Sequence, residues 1–310
     1  MSQPFVRPDV AAFLQFLAAQ PGPKMTELPL ADARMMMIAA RHIADADVGE
    51  LARIENLVIP GPAGDIAARL YDAKASRAPG PVLVFYHGGG FTIGDLDTHE
   101  PYCAEAARAL DMPVIAIDYR LAPEHPYPAA AIDSEAATRW IAENIPCTGL
   151  ILSGDSAGGN LTVVTAMALR DRPAAKPVIA QYPIYPAVAG SKGLDYPSYA
   201  SFKDGYFLTE ELMAWFGACY GGDDGPQIAP LLFDISGMPP AVVITAGLDP
   251  LRDQGRSYAA KLIEAGIACT YIEAAGNIHG FINMRKAIPS TAKDMADGFA
   301  ALKTLLASLG

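Results

Sequence analysis

Basic residues are scarce in this chain. Lys and Arg number 23 against 34 Asp and Glu, a formal net charge of −11 over 310 residues. Nucleic acid and anionic membrane surfaces are recognised by clustered cations, and the longest basic cluster is "MRKA" at 284 to 287. Nucleic acid is therefore excluded as an expected partner. Cysteine is also sparse: Cys103, Cys147, Cys219 and Cys269 are scattered, with no CxxC pair and no His spacing suited to zinc. That pattern predicts free thiols in a reducing cytoplasm, with no disulfide framework and no metal. Long apolar runs are missing too, and no stretch approaches the ~20 residues a membrane span needs. Near the start, "VAAFLQFLAAQ" is short, interrupted by Gln15 and preceded by Asp9, with only Arg7 as positive charge. It reads as an amphipathic helix and not as a signal peptide, so the expectation is a cytoplasmic protein with no membrane partner.

What the chain does have is apolar content, 51% of residues against 18% charged, enough for a sizeable globular core. Apolar or alternating runs fall at "ENLVIP" (55 to 60), "DIAARLYD" (65 to 72), "PVLVFYH" (81 to 87) and "PVIAIDY" (113 to 119). Four more follow at "GLILSGD" (149 to 155), "PVIAQYP" (177 to 183), "AVVITAG" (241 to 247) and "ACTYIEA" (268 to 274). The short loop "GPAGD" joins the first two as an antiparallel hairpin. From residue 81 onward most strands alternate with segments of helical period, which implies crossovers and a mostly parallel sheet covered on both faces. The predicted class is α/β. Two segments break the alternation: residues 1 to about 45, with three successive methionines at Met35, Met36 and Met37, and residues 190 to 230, with "TEELMAWFGACY". Both are expected to lie over one end of the sheet as a cap. The methionines are read as packing, although flexible thioethers also line adaptable apolar pockets.

The chemistry centres on "GLILSGDSAGGN", where Gly154, Ser156 and Gly158 form GxSxG between a strand and a helix. A sharp strand-to-helix turn holds a serine in strained geometry with its hydroxyl exposed, and flanking glycines make the turn sterically possible. The helix start also presents free N–H groups, so the Ala157 amide can donate to an oxyanion. Serine is a weak nucleophile and needs a base that a carboxylate orients. Of the five histidines, His279 in "GNIHGF" follows the eighth strand, and Asp249 in "AGLDPLRD" follows the seventh. The order Ser156, Asp249, His279 is that of α/β-hydrolases, each residue lying just past a strand's C-terminal end. Asp253 competes as the acid and Asp249 could instead cap the next helix, but Asp253 is carried about 6 Å along that helix at ~1.5 Å per residue. The run Gly88, Gly89, Gly90 after the third strand then acquires a purpose. Bare backbone amides, here assigned to Gly88 and Gly89, can close on the negative oxygen of a tetrahedral intermediate. A phosphate loop is the competing reading, but "HGGGFTIGD" matches neither GxGxxG nor a lysine-bearing Walker pattern.

"HGGGF", "DYRLAPEHPYPAA", "GDSAGGN", "DPLRD" and "HGF", in this order from about residue 50 to the end, resemble the bacterial esterases related to hormone-sensitive lipase. The resemblance implies an α/β-hydrolase fold, an eight-stranded, mostly parallel sheet with a two-part helical cap. The expected division is an N-terminal cap segment at 1–45, a first core part at 46–190, a second cap segment at 191–230 and a second core part at 231–310. It implies a serine carboxylesterase for small-molecule esters of short to medium acyl chain, needing no cofactor, with a homodimer as one state open to it. Amidase, lactonase or deacetylase activity on the same Ser-His-Asp machinery is the alternative. Relatives of a different class, plant hormone receptors, keep the fold but lose the histidine that is present here as His279. Glu124 and His125 are expected to be structural. One departure is Asn277, where relatives often carry methionine or another apolar residue two positions before the histidine.

Overall fold

The computed structural model describes residues 4–309, so the outermost residues of the expected N-terminal cap segment (1–3) and of the second core part (310) lie outside the described residues. Eight strands form one sheet: β1 (Arg53–Gly61), β2 (Gly64–Asp72), β3 (Gly80–Tyr86), β4 (Val114–Asp118), β5 (Cys147–Asp155), β6 (Val178–Ile184), β7 (Ala241–Leu248) and β8 (Cys269–Ile278). Their order is β1-β2-β4-β3-β5-β6-β7-β8. β2 pairs antiparallel with both β1 and β4, and every other pairing is parallel. The cause is visible in composition: all eight residues of β7 are buried, as a strand covered by helices on both faces requires, whereas β1 at the edge alternates and leaves Val58 exposed. The sequence places β5 to end near Ser153 and β7 at Gly247; both run slightly further, to Asp155 and Leu248.

Among the described residues nine α-helices complete the fold: α1 (Pro8–Ala18), α2 (Leu30–Ala44), α3 (Glu100–Leu110), α4 (Ala129–Asn144), α5 (Ala157–Asp171), α6 (Pro197–Phe202), α7 (Glu210–Tyr220), α8 (Arg252–Glu264) and α9 (Thr291–Ser308). Two apolar cores lie on opposite faces of the sheet. Ala137 and Ile141 of α4, Leu161 of α5 and Leu262 of α8 belong to one, and Ala106 of α3 with Phe299 and Leu302 of α9 to the other. A third, smaller cluster joins Val10 and Phe13 of α1 to Phe202, Leu248 and Ile278, which anchors α1 at the C-terminal ends of β7 and β8. Thr209 caps α7, its side chain accepting from the Leu212 amide at 3.2 Å, an arrangement worth about 1 kcal/mol. Lys24 and Thr26 both reach Glu211 of α7, at 2.5 and 2.8 Å, so the chain before α2 is tied to the segment that returns over the sheet. No helix among the described residues is long and apolar enough to cross a membrane.

Candidate active site

Ser156 is the single residue between β5 and α5, and its backbone sits at φ 56°, ψ −114°. A non-glycine residue there carries strain of order 1–3 kcal/mol, which persists only where surrounding structure enforces it. The enforcement is steric and local. A Cβ on Gly158 would run into the Tyr86 carbonyl at the end of β3, so α5 can approach the sheet this closely only with glycine at that position. The result turns the Ser156 hydroxyl toward His279, whose Nε2 lies 2.9 Å from Oγ.

His279 follows β8 directly and Asp249 follows β7 directly, so neighbouring parallel strands deliver the two side chains to one rim. His279 Nδ1 is 2.7 Å from Asp249 Oδ2, with the carboxylate fully buried. Its other oxygen accepts from the Leu251 amide at 2.8 Å, just ahead of α8. Asp253 faces elsewhere: it accepts from the Ser198 amide at 2.9 Å and pairs with Arg252. The ring of Tyr185 packs beneath His279, centroid to centroid 4.5 Å.

The glycine loop corrects one expectation. The Gly88 amide is not free for an oxyanion: it donates a 2.7 Å hydrogen bond to Asp155 Oδ1, and Gly88 does not border the cavity. Gly89, Gly90 and Ala157 do border it, and among the described residues no acceptor takes their amides. Gly90, at φ 59°, also lies directly under the ring of Phe216 from α7, where a Cβ would not fit. Asp155, next to the serine, escaped the sequence reading although it stands inside the quoted "GDSAGGN". Burial opposes its ionisation, but His99, whose Nε2 lies 3.2 Å away outside hydrogen-bond geometry, the Gly88 amide and His279 hold its carboxyl below the usual range.

Above this rim is a cavity of about 1070 Å³. Its apolar wall draws on Phe13 and Leu17 of α1, Met36 and Met37 of α2, and Met213 and Phe216 of α7. Here the methionine run departs from the packing role read from sequence: Met35 is exposed, whereas Met36 and Met37 open onto the cavity. Glu124 and His125 lie outside it. Glu124 holds the Arg34 guanidinium through two 2.8 Å contacts, and Arg34 also donates to the Thr92 carbonyl, which braces α2 against the glycine loop. Asn277 is buried, donating to Asp294 Oδ2 at 2.9 Å and to Thr291 at 3.2 Å. Among the described residues no group of three His, Cys, Asp or Glu side chains could hold a metal ion.

Residues 83–283 match a protein family described as alpha/beta hydrolase fold. "Esterase LipI" of Mycobacterium tuberculosis is 37% identical over 267 residues, 82% of this chain and 82% of that protein. "Carboxylesterase NlhH" of the same species is 39% identical over 255 residues, covering 78% of this chain and 79% of the relative. Among solved structures, LAE6, described as an alpha/beta hydrolase enzyme from the metagenome of Lake Arreo, Spain, superposes with a TM-score of 0.92 at 37% identity. That match covers 98% of this chain and 99% of LAE6.

Proposed function

The chain belongs to the α/β hydrolases, among the esterases related to hormone-sensitive lipase; it is a carboxylic ester hydrolase, and we propose that it works through an acyl-enzyme on Ser156. The observation that carries this reading is the continuous line from Ser156 Oγ through His279, 2.9 Å, to Asp249, 2.7 Å. His279 takes the proton as Ser156 attacks the ester carbonyl and returns it to the leaving alcohol. Asp249 holds the imidazole in the tautomer that accepts at Nε2 and stabilises the imidazolium that forms. The amides of Ala157, Gly89 and Gly90 receive the oxyanion, each such donor being worth roughly 10²- to 10³-fold in rate. Water, activated by the same histidine, then releases the acid.

In this proposal residues 4–45 and 191–230 act as a two-part cap. The apolar cavity suits the acyl and alcohol parts of small esters, and chains of about two to eight carbons are the preferred range. A cytoplasmic location belongs to the same proposal and is supported by four unpaired cysteines. The test is a panel of soluble nitrophenyl esters of graded chain length, compared with emulsified triglyceride. Butyrate-sized esters should turn over fastest; faster cleavage of the emulsion would overturn the chain-length assignment, and no turnover of any ester would overturn the activity itself.

A further inference from the structure

The strand that carries His279 is irregular just before the histidine. Ala246 pairs with Ala274 and Leu248 with Ile278, so two steps along β7 are matched by four along β8. The surplus forms a bulge at 275–277, opposite Gly247, where a Cβ would crowd the Gly276 amide at 2.8 Å. Bulges bend a strand and re-aim the side chain that follows them, and they leave ladder groups without their usual partners. Here those groups are collected by the chain's N-terminal segment. Arg7 Nε donates to the Ala275 carbonyl at 2.8 Å and the Arg7 amide to the Gly276 carbonyl at 3.3 Å. The same guanidinium grips Asp294 of α9 through both oxygens, at 2.6 and 2.8 Å, and Asp294 in turn accepts from Asn277. Asn277 Oδ1 closes the arrangement by accepting from the Ile278 amide at 3.0 Å, one residue from the histidine.

We propose that Arg7 and Asn277 are positioning residues for His279: joined through Asp294, they fix the bulge that aims its imidazole between Asp249 and Ser156. The proposal rests on His279 being the base. Two features favour a positioning role over simple bracing. The network attaches to the four residues that immediately precede His279, with Asn277 fully buried there. Arg7 also directly precedes α1, whose Phe13 and Leu17 line the cavity, so the segment that shapes the substrate pocket is the one that holds the histidine's strand. An occupied pocket and an aligned base are thereby joined through one side chain.

The experiment compares Arg7→Ala, Arg7→Lys and Asn277→Ala with the wild type, and uses His279→Ala as control. Turnover and KM on a nitrophenyl butyrate, melting temperature, and the far-downfield proton resonance of the His279–Asp249 hydrogen bond are measured together. Misplacing a base by a fraction of an ångström lowers kcat and not binding, so Arg7→Ala and Asn277→Ala should each lose about 10- to 100-fold in kcat with KM within about twofold. The resonance should broaden in both while the proteins remain folded. Arg7→Lys keeps a charge opposite Asp294 but cannot span that carboxylate and the Ala275 carbonyl together, so its loss should be intermediate. If Arg7→Ala does not fold, Arg7→Lys and Asn277→Ala decide. Folded variants with kcat within about twofold of wild type, or losses that follow only melting temperature while the resonance stays sharp, would overturn the proposal. An active His279→Ala would instead overturn the base assignment beneath it.

Discussion

Asp155 and Gly88 are joined by a buried 2.7 Å hydrogen bond, carboxylate to backbone amide, although 67 residues separate them in the chain. The residue that precedes Ser156 thus sets the position of the glycine loop, and through it the relation between Ser156 and the amides of Gly89 and Gly90. Asp155→Ala would strand the Gly88 N–H without a partner, at a cost of about 1–3 kcal/mol, and would release the loop. Turnover should fall by roughly 10²-fold with little change in KM, measured on a soluble ester in protein shown to be folded.

Asp249 and Asp253 should separate cleanly in kinetics. An amide at 249 favours the imidazole tautomer that cannot accept from serine, so Asp249→Asn should lower turnover by roughly 10⁴-fold. Asp253→Asn disturbs only the Ser198 and Arg252 contacts and should cost less than about tenfold. Steady-state kinetics on the two purified variants checks both, and reversed losses would reassign the acid.

Much of this site was legible because its parts sit at strand ends. Ser156, Asp249 and His279 could each be placed from an apolar strand followed by a motif, with no knowledge of what lay beside them. The glycine loop was legible in kind but not in detail. That Gly88 gives its amide to Asp155 depends on the distance between β3 and β5, which the identity of neither residue reveals. The same holds for Arg7 and Asp294, 287 residues apart and paired only because α1, which Arg7 directly precedes, and α9 both pack against β8. Helical period could not choose between packing and pocket lining for Met36 and Met37: it shows that a face is apolar, not whether it meets packed side chains or an open cavity.

Gly90 and Phe216 should prove coupled. At φ 59° an added Cβ carries intrinsic strain and also meets the Phe216 ring, so Gly90→Ala should reduce kcat/KM by more than about tenfold. Phe216→Ala removes the steric part only. The double variant should therefore recover a fraction of the loss, and a double-mutant cycle in kcat/KM with no interaction between the two sites would contradict the contact.

Acid stability should show two opposed titrations. Burial, with His99 nearby, lowers His87 to about 4, while burial beside Asp95 and Asp97 raises Asp118 to about 6. For His87 the unfolded chain takes up its proton near pH 6.5 and the folded state only near 4, so up to about 3 kcal/mol is lost as pH falls through that window. For Asp118 the folded state keeps its proton up to about pH 6 while the unfolded chain releases it near 3.8, so about 2 to 3 kcal/mol is lost as pH rises. Between pH 4 and 6 the two nearly cancel. Urea unfolding across that range should show Asp118→Asn losing stability more steeply on acidification than wild type, and His87→Gln less steeply; parallel curves would contradict both assignments.

Whether Ser156 is an activated nucleophile is read out by intact-mass analysis after treatment with an organophosphate such as a dialkyl nitrophenyl phosphate. One phosphoryl group per chain is expected, located on Ser156, with esterase activity falling in proportion to labelling. Ser156→Ala should take up no label and retain on the order of one part in 10⁶ of the turnover. Stoichiometric labelling at another residue, or an unlabelled Ser156→Ala protein that still hydrolyses esters at a rate near the wild type's, would contradict it.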